Sequence, residues 1–286
     1  MKVIQSFRSD AYKPLQGVAG GSAFLKGEMI KMALSCRLAQ RYVGPVTLYT
    51  DAFGASLVVK AGIPYNDIVV HDYVTDDYVW IEPKLRAYIA QSTPFVHFDN
   101  DLFLYQRIDE QLRHPFVCAH TESFRWPYYE RYQQQLSQLM PDLVPNLTDT
   151  HPDFRVPANA AVFGGTAVDD IAEAASVVLD VLAGPRMRAA ALGNEDLVRG
   201  TMPFFEQLWL PVRLADRGIK AVPLLQEREL YFKEPLNIKL THLFGVKYQN
   251  QALVDEAMQY VMLRLLKTDE ALLQRILSFS EVTEAL

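Results

Sequence analysis

Phe95-Val96-His97-Phe98-Asp99-Asn100-Asp101-Leu102-Phe103-Leu104 sets two carboxylates between two apolar runs. The apolar flanks mean that the segment enters and leaves a core, where an unpaired buried carboxylate is costly. In an open α/β sheet, ligands bind beyond the carboxyl ends of the strands. The stretch 95–104 reads as a strand with an acidic interruption. A strand that ends at Asp99 and turns brings both carboxylates to that edge, and on an ideal strand residues i and i+2 share a face. Such a pair suits one hard cation, because Mg²⁺ and Mn²⁺ accept one or two carboxylates together with substrate phosphates. Asp and Asn are also good turn formers, so a solvated turn is the plain alternative.

Around this stretch, short apolar runs alternate with helical periodicity. Residues 3–7, 46–51, 67–72 and 116–120 read as strands, and 26–42 and 83–91 as helices. The alternation predicts parallel strands with crossover helices. Further along, 127–140, 169–183 and 196–208 read as helices, and 160–165, 219–225 and 240–244 as strands. Residues 251–286 read as helical, with Leu253, Met258, Val261, Leu265 and Leu266 on the inner side. No repeat, low-complexity tract or linker interrupts the chain. The expectation is one α/β domain over 1–249 with a helical C-terminal extension over 250–286 packed on it.

Of the 286 residues, 50% are hydrophobic and 22% charged, which excludes a disordered, collagen-like or coiled-coil chain. Acidic residues number 34 against 28 basic, a net charge of -6, so the composition offers no basic face for nucleic acid. Cys36 and Cys118 lie in apolar stretches and read as buried free thiols in a reducing compartment. The opening MKVIQSFRSD turns polar after four residues, unlike a secretory signal. No window reaches the roughly 18 apolar residues that cross a bilayer. These features predict a soluble, cytoplasmic protein. Gly-x-Ser-x-Gly, His-Glu-x-x-His and Gly-x-Gly-x-x-Gly are all absent.

Three motifs accompany the acidic stretch. Lys84 sits on a helix that leads directly into it, Asn159-Ala160-Ala161-Val162-Phe163-Gly164-Gly165 is a strand ending in small residues, and Thr241-His242-Leu243-Phe244-Gly245-Val246-Lys247 comes late. This order resembles the nucleotide-sugar-dependent glycosyltransferases of the GT-A fold, most closely family 8, the glycogenin and bacterial galactosyltransferase type. It is also similar to a bacterial group of predicted GT-A-like proteins that share Gln-Ser-Phe near the N-terminus, a central Tyr-Thr-Asp and a His-x-Asp-x-Asp core. The resemblance implies a GT-A-like (Rossmann-like) mixed sheet flanked by helices. It implies hexosyl transfer, with retention, from a nucleotide diphosphate sugar (a UDP-sugar) to a glycan, peptide or small-molecule acceptor. Neither nucleic acid nor a transmembrane segment belongs to it, and a homodimer is one assembly it allows.

Residue by residue, Asp99, Asp101 and His242 match the family's ligands for Mn²⁺ or Mg²⁺. Lys84 matches a lysine that meets the donor diphosphate, and Asn159 the asparagine of the middle motif. Asp99, Asp101, Lys84 and Asn159 thus form the implied catalytic set. Gly245 and Lys247 match the donor-binding late motif, although the spacing here is His-x-x-Gly-x-Lys, one residue short. Ala161 stands where glycine is usual. Glu195 and Asp196 are similar in position to an acidic segment near the acceptor.

Strand ends supply further candidates. Ser6 and Phe7 lie at the end of the first strand, and Tyr49 and Asp51 end the second. An aromatic there can stack on a base, and Asp51 can accept from a uracil N–H or a ribose hydroxyl. Core aromatics and a turn aspartate are the plainer account. Glu122 and Trp126 offer a carboxylate and an aromatic face to an acceptor sugar, while aromatics at this spacing also suit a core. Two rivals stand beside the transferase. A haloacid-dehalogenase-type phosphatase also has an apolar strand entering Asp-x-Asp, but Leu102 replaces its usual Thr or Val and the motif lies far from the N-terminus. A non-catalytic sugar- or nucleotide-binding protein accommodates Ala161 and the shortened late motif.

Overall fold

A computed structural model describes residues 1–9, 21–73, 79–122, 127–144, 156–191, 194–225, 239–243 and 251–279. Its elements begin with β1 (Lys2–Phe7), α1 (Gly21–Tyr42), β2 (Val46–Thr50), α2 (Ala52–Ala61), β3 (Asp67–Val70), α3 (Glu82–Ile89), β4 (Phe95–Phe98), β5 (Leu102–Leu104) and β6 (Phe116–Cys118). They continue with α4 (Pro127–Leu139), β7 (Val162–Gly165), α5 (Val168–Ala183), α6 (Pro185–Ala191), α7 (Glu195–Pro203), α8 (Leu210–Ala215), β8 (Ala221–Pro223), β9 (Leu240–His242), α9 (Gln251–Thr268) and α10 (Glu270–Ser278). The described strands form a seven-stranded mixed α/β sheet, ordered β3-β2-β1-β4-β7-β6-β8 and flanked by helices, together with a two-stranded ribbon of β5 and β9. The chain divides into two compact units, one of residues 2–72, 98–109 and 234–286, the other of residues 1, 73–97 and 110–233.

In the first unit, β1 and β2 pair in parallel from Val3↔Val46 to Phe7↔Thr50, and β3 joins β2 in parallel from Thr47↔Asp67. Residues 3–7 and all of β2 are buried, as expected of strands covered on both faces. α1 and α2 provide the crossovers that the alternation predicts. β2 ends one residue before the expected boundary because Asp51 turns to cap α2, accepting from the Gly54 N–H. α2 stops at Gly62, in the left-handed region at φ +71°, where a Cβ would meet the Arg275 guanidinium at 2.1 Å.

The C-terminal helices also belong to this unit. Val261 and Leu265 are buried, but Leu253 is 40% and Leu266 39% exposed, contrary to the expected inner face. At about 100° per residue, positions 258, 261 and 265 share one stripe and 253 and 266 fall outside it. α10 is capped by Asp269, which accepts from the Leu272 N–H (3.0 Å) and from Arg37 Nε of α1 (2.9 Å).

In the second unit, β6 pairs with β7 antiparallel and with β8 parallel, which makes the sheet mixed. Gly164 and Gly165 have φ +153° and +144°. A Cβ there would lie 2.3 Å from the Phe95 carbonyl oxygen and 2.2 Å from that of Pro115, so only glycine permits this approach. Phe163 stacks on Tyr88 with ring centroids 4.9 Å apart. α5 buries Val168, Ile171, Ala174, Ala175, Val178 and Leu182, a 3.6-residue stripe. The helix expected over 196–208 changes character at Pro203, which has no N–H to donate, and Phe204–Trp209 continue as a π-helix.

Candidate metal centre

The acidic stretch is two strands, not one. β4 ends at Phe98, and the Leu102 N–H donates to the Asp99 carbonyl at 3.0 Å, closing a tight turn over Asp99-Asn100-Asp101-Leu102. The turn reading applies, and the turn leaves both carboxylates at the end of β4. The carboxylates converge through the turn rather than along one strand face. β5 then pairs antiparallel with β9, with Leu102 opposite His242 and Leu104 opposite Leu240.

That register brings His242 to the turn. His242 Nε2 lies 3.3 Å from Asp101 Oδ1 and 3.9 Å from Asp99 Oδ2. One ligand atom from each of the three residues falls within 4.8 Å of the others. Octahedral ligands at about 2.1 Å from an ion are about 3 Å apart when adjacent and about 4.2 Å when opposite. The three residues thus fit a single divalent cation with small side-chain adjustments. Their side chains are 13–20% exposed, so the cluster is reachable from solvent.

The main chain around the ligands is fastened at each step. The Asp99 carbonyl accepts from the Ser35 hydroxyl of α1 (3.2 Å), which accepts in turn from Gln5 Nε2 of β1 (2.7 Å). Asn100 Nδ2 donates to the Ser6 carbonyl (2.8 Å). The Leu243 N–H donates to the Asp101 carbonyl (3.2 Å). Gln5 and Ser35 are buried, so this scaffold is shielded from competing water. Ser35 and Asn100 carried no site signal in the sequence, because a serine in an apolar helix and an asparagine in a turn are both commonplace.

The remaining first-unit candidates are engaged in structure. Ser6 supplies the carbonyl that Asn100 holds. Phe7 is buried. Tyr49 is buried, parallel to the His71 ring at 5.7 Å, and accepts from Lys2 Nζ at 3.2 Å. Asp51 accepts from the Ser9 N–H (2.7 Å), the Ser9 hydroxyl and the Gly54 N–H (2.8 Å).

In the second unit, Lys84 Nζ lies 2.8 Å from Glu206 Oε1, with side chains 11% and 1% exposed, and 5.7 Å from the centre of the Trp80 ring. The isolated glutamate in Phe-Phe-Glu-Gln-Leu-Trp was a readable sign of a buried carboxylate in need of a partner. Burial first, and then the Lys84 charge, hold the His97 imidazole well below its usual pKa. Asn159 Nδ2 donates to Glu122 Oε1 (2.9 Å), and Asn159 Oδ1 accepts from the Ala161 N–H (3.1 Å). The Tyr129 hydroxyl joins Glu122 and Gln207 in the same buried network. Glu195 and Asp196 open α7 behind Asn194, whose side chain accepts from the Leu197 N–H. Trp126, Gly245 and Lys247 lie outside the described residues.

The fold and this cluster define an α/β protein with a candidate three-ligand centre for a divalent cation. The chain belongs to the family described as "Family of unknown function (DUF6734)", whose model matches residues 1–273. No curated protein matches the sequence. Among solved structures, the crystal structure of mouse xyloside xylosyltransferase 1 in its apo form is similar at a TM-score of 0.42 and 12% identity, covering 84% of this chain and 96% of that one. Among the described residues, no helix is long and apolar enough to cross a membrane.

Proposed function

We propose that this protein is a metal-dependent glycosyltransferase that uses a nucleotide diphosphate sugar, a UDP-sugar of the hexosyl type, and retains anomeric configuration. The observation that carries the reading is the convergence of Asp99, Asp101 and His242, the three positions that the motif order singles out. Two carboxylate oxygens and one imidazole nitrogen form a hard-to-borderline donor set that suits Mn²⁺, and also Mg²⁺, better than a soft ion. A divalent cation bound there supplies charge neutralisation for a diphosphate leaving group. Asp99 and Asp101 supply the negative charge that holds the cation. His242 supplies a neutral nitrogen from the facing strand.

A donor binder without turnover is the second reading. It is favoured by Lys84, whose charge is already balanced by Glu206. Calorimetric titration of UDP into the protein with and without Mn²⁺ tests both. Manganese-dependent binding that is lost in Asp101→Ala supports the shared site, and no UDP affinity in either condition sinks the uridine donor. Hydrolysis of UDP-sugars separates enzyme from binder: turnover that requires Asp101 selects the transferase.

A further inference from the structure

The ribbon that delivers His242 is short. β5 and β9 have three residues each and form a sheet of their own. A two-stranded pair of this size is marginal in water without support on one face. Successive side chains on a strand point to opposite faces, so Thr241 and His242 look in opposite directions. His242 faces the two aspartates, and Thr241 faces a different set of groups.

That set lies within the first unit. Tyr105, just beyond β5, donates from its N–H to the Lys239 carbonyl (2.9 Å) at the start of β9 and, by alternation from Phe103, the partner of Thr241, lies on the Thr241 face of the ribbon. The Tyr105 hydroxyl is 2.9 Å from the Tyr260 hydroxyl of α9. Arg264, one helical turn further on, donates from Nε to the Tyr260 oxygen (3.0 Å). Its guanidinium lies 5.0 Å from the centre of the Tyr105 ring and 5.2 Å from that of Tyr260. A planar guanidinium between two rings combines stacking with a directed hydrogen bond, which a lysine cannot reproduce.

We propose that Tyr105, Tyr260 and Arg264 form a latch by which helix α9 positions His242 for cation binding. The inference rests on the metal reading above. α9 acts through the ribbon. It holds the back of β9, and the alternation of the strand transmits that constraint to the next residue. Arg264, Tyr260 and Tyr105 are positioning residues, and the C-terminal extension is part of the metal centre's outer support.

Mn²⁺ titration of the full chain, followed by the electron paramagnetic resonance signal of free Mn²⁺, tests the latch. Arg264→Ala weakens Mn²⁺ binding by about tenfold, as loss of outer support around a metal ligand does. Tyr260→Phe, which keeps the ring and removes the hydroxyl with its hydrogen bonds to Tyr105 and from Arg264, weakens it by about threefold. Arg264→Lys does not restore wild-type affinity. Arg37→Ala is the control. It breaks the pair with Asp269 that ties α10 to α1 and leaves the latch intact, so it lowers the melting temperature without changing Mn²⁺ affinity. Wild-type affinity in both Arg264→Ala and Tyr260→Phe overturns the latch and leaves the metal centre standing. So does an equal loss of affinity in Arg37→Ala, which marks general loosening. A wild-type chain that binds no Mn²⁺ overturns the metal reading and the latch with it. Should Arg264→Ala fail to fold, Tyr260→Phe decides alone.

Discussion

His242 Nε2 stands 3.3 Å from Asp101 Oδ1 because Leu102, the residue after that aspartate, is the partner of His242 across the β5–β9 ribbon. Backbone pairing therefore assembles the cluster. The two carboxylates repel each other when nothing lies between them. Asp101→Ala is expected to reduce Mn²⁺ affinity by more than about a hundredfold, beyond the upper range for outer-shell losses. Its melting temperature in chelator does not fall, and a chelator scan beside the Mn²⁺ titration checks both statements.

The Lys84–Glu206 pair makes an opposite prediction about stability. Both side chains are largely buried, so removing one charge strands the other. Glu206→Gln is expected to cost about 3–5 kcal/mol in urea unfolding. The double change Lys84→Met with Glu206→Leu recovers most of that loss, since an apolar pair of similar volume replaces a desolvated ion pair. Donor turnover that stays low in the stable double variant assigns Lys84 a chemical role. Full turnover there makes the pair purely structural.

Glycine substitutions separate crowding from backbone conformation. Gly164 has φ +153° and a Cβ would lie 2.3 Å from the Phe95 carbonyl oxygen, whereas Gly218 has φ +79° with nothing within 4 Å. Gly218→Ala is expected to cost about 1 kcal/mol, the left-handed penalty alone. Gly164→Ala costs about 3 kcal/mol or more because main chain, which cannot swing away, occupies the space. Midpoints of chemical unfolding measured side by side give the comparison.

Burial pushes the thiols of Cys36 and Cys118 each up to about 12. Against an ordinary thiol near 9, the native chain holds about a thousandfold less thiolate at pH 8 and reacts correspondingly slowly with a disulfide reagent. Both thiols react at once in denaturant. The sign of the linkage follows from the same shift. Above pH 9 the unfolded chain releases thiol protons that the native chain keeps, so stability falls as pH rises from about 9 toward 12. Rapid native labelling of either cysteine at pH 8 contradicts this account.

What could be read along the chain was local. Apolar runs and 3.6-residue periodicity are properties of neighbouring residues. They located β1, β2, α1 and α5, and they marked Asp99 and Asp101 as carboxylates between apolar runs, whereas His242 was singled out only by the resemblance of its motif to the glycosyltransferase family. The same periodicity misjudged Leu253 and Leu266, since a helix has one inner stripe and its direction depends on what the helix packs against.

Partnership between distant residues was decided only by tertiary structure. Whether Asp51 also accepts from Ser9, and whether Lys84 faces Glu206, are questions of which chain segments meet. The strand expected over 95–104 divided for the same reason. β5 pairs with β9, from the far end of the chain, and no pattern inside ten residues encodes that choice. Local sequence specified the donor atoms of the candidate metal centre. The register of one three-residue ribbon placed them within reach of a single ion, because hydrogen-bond pairing acts across space and not along the chain.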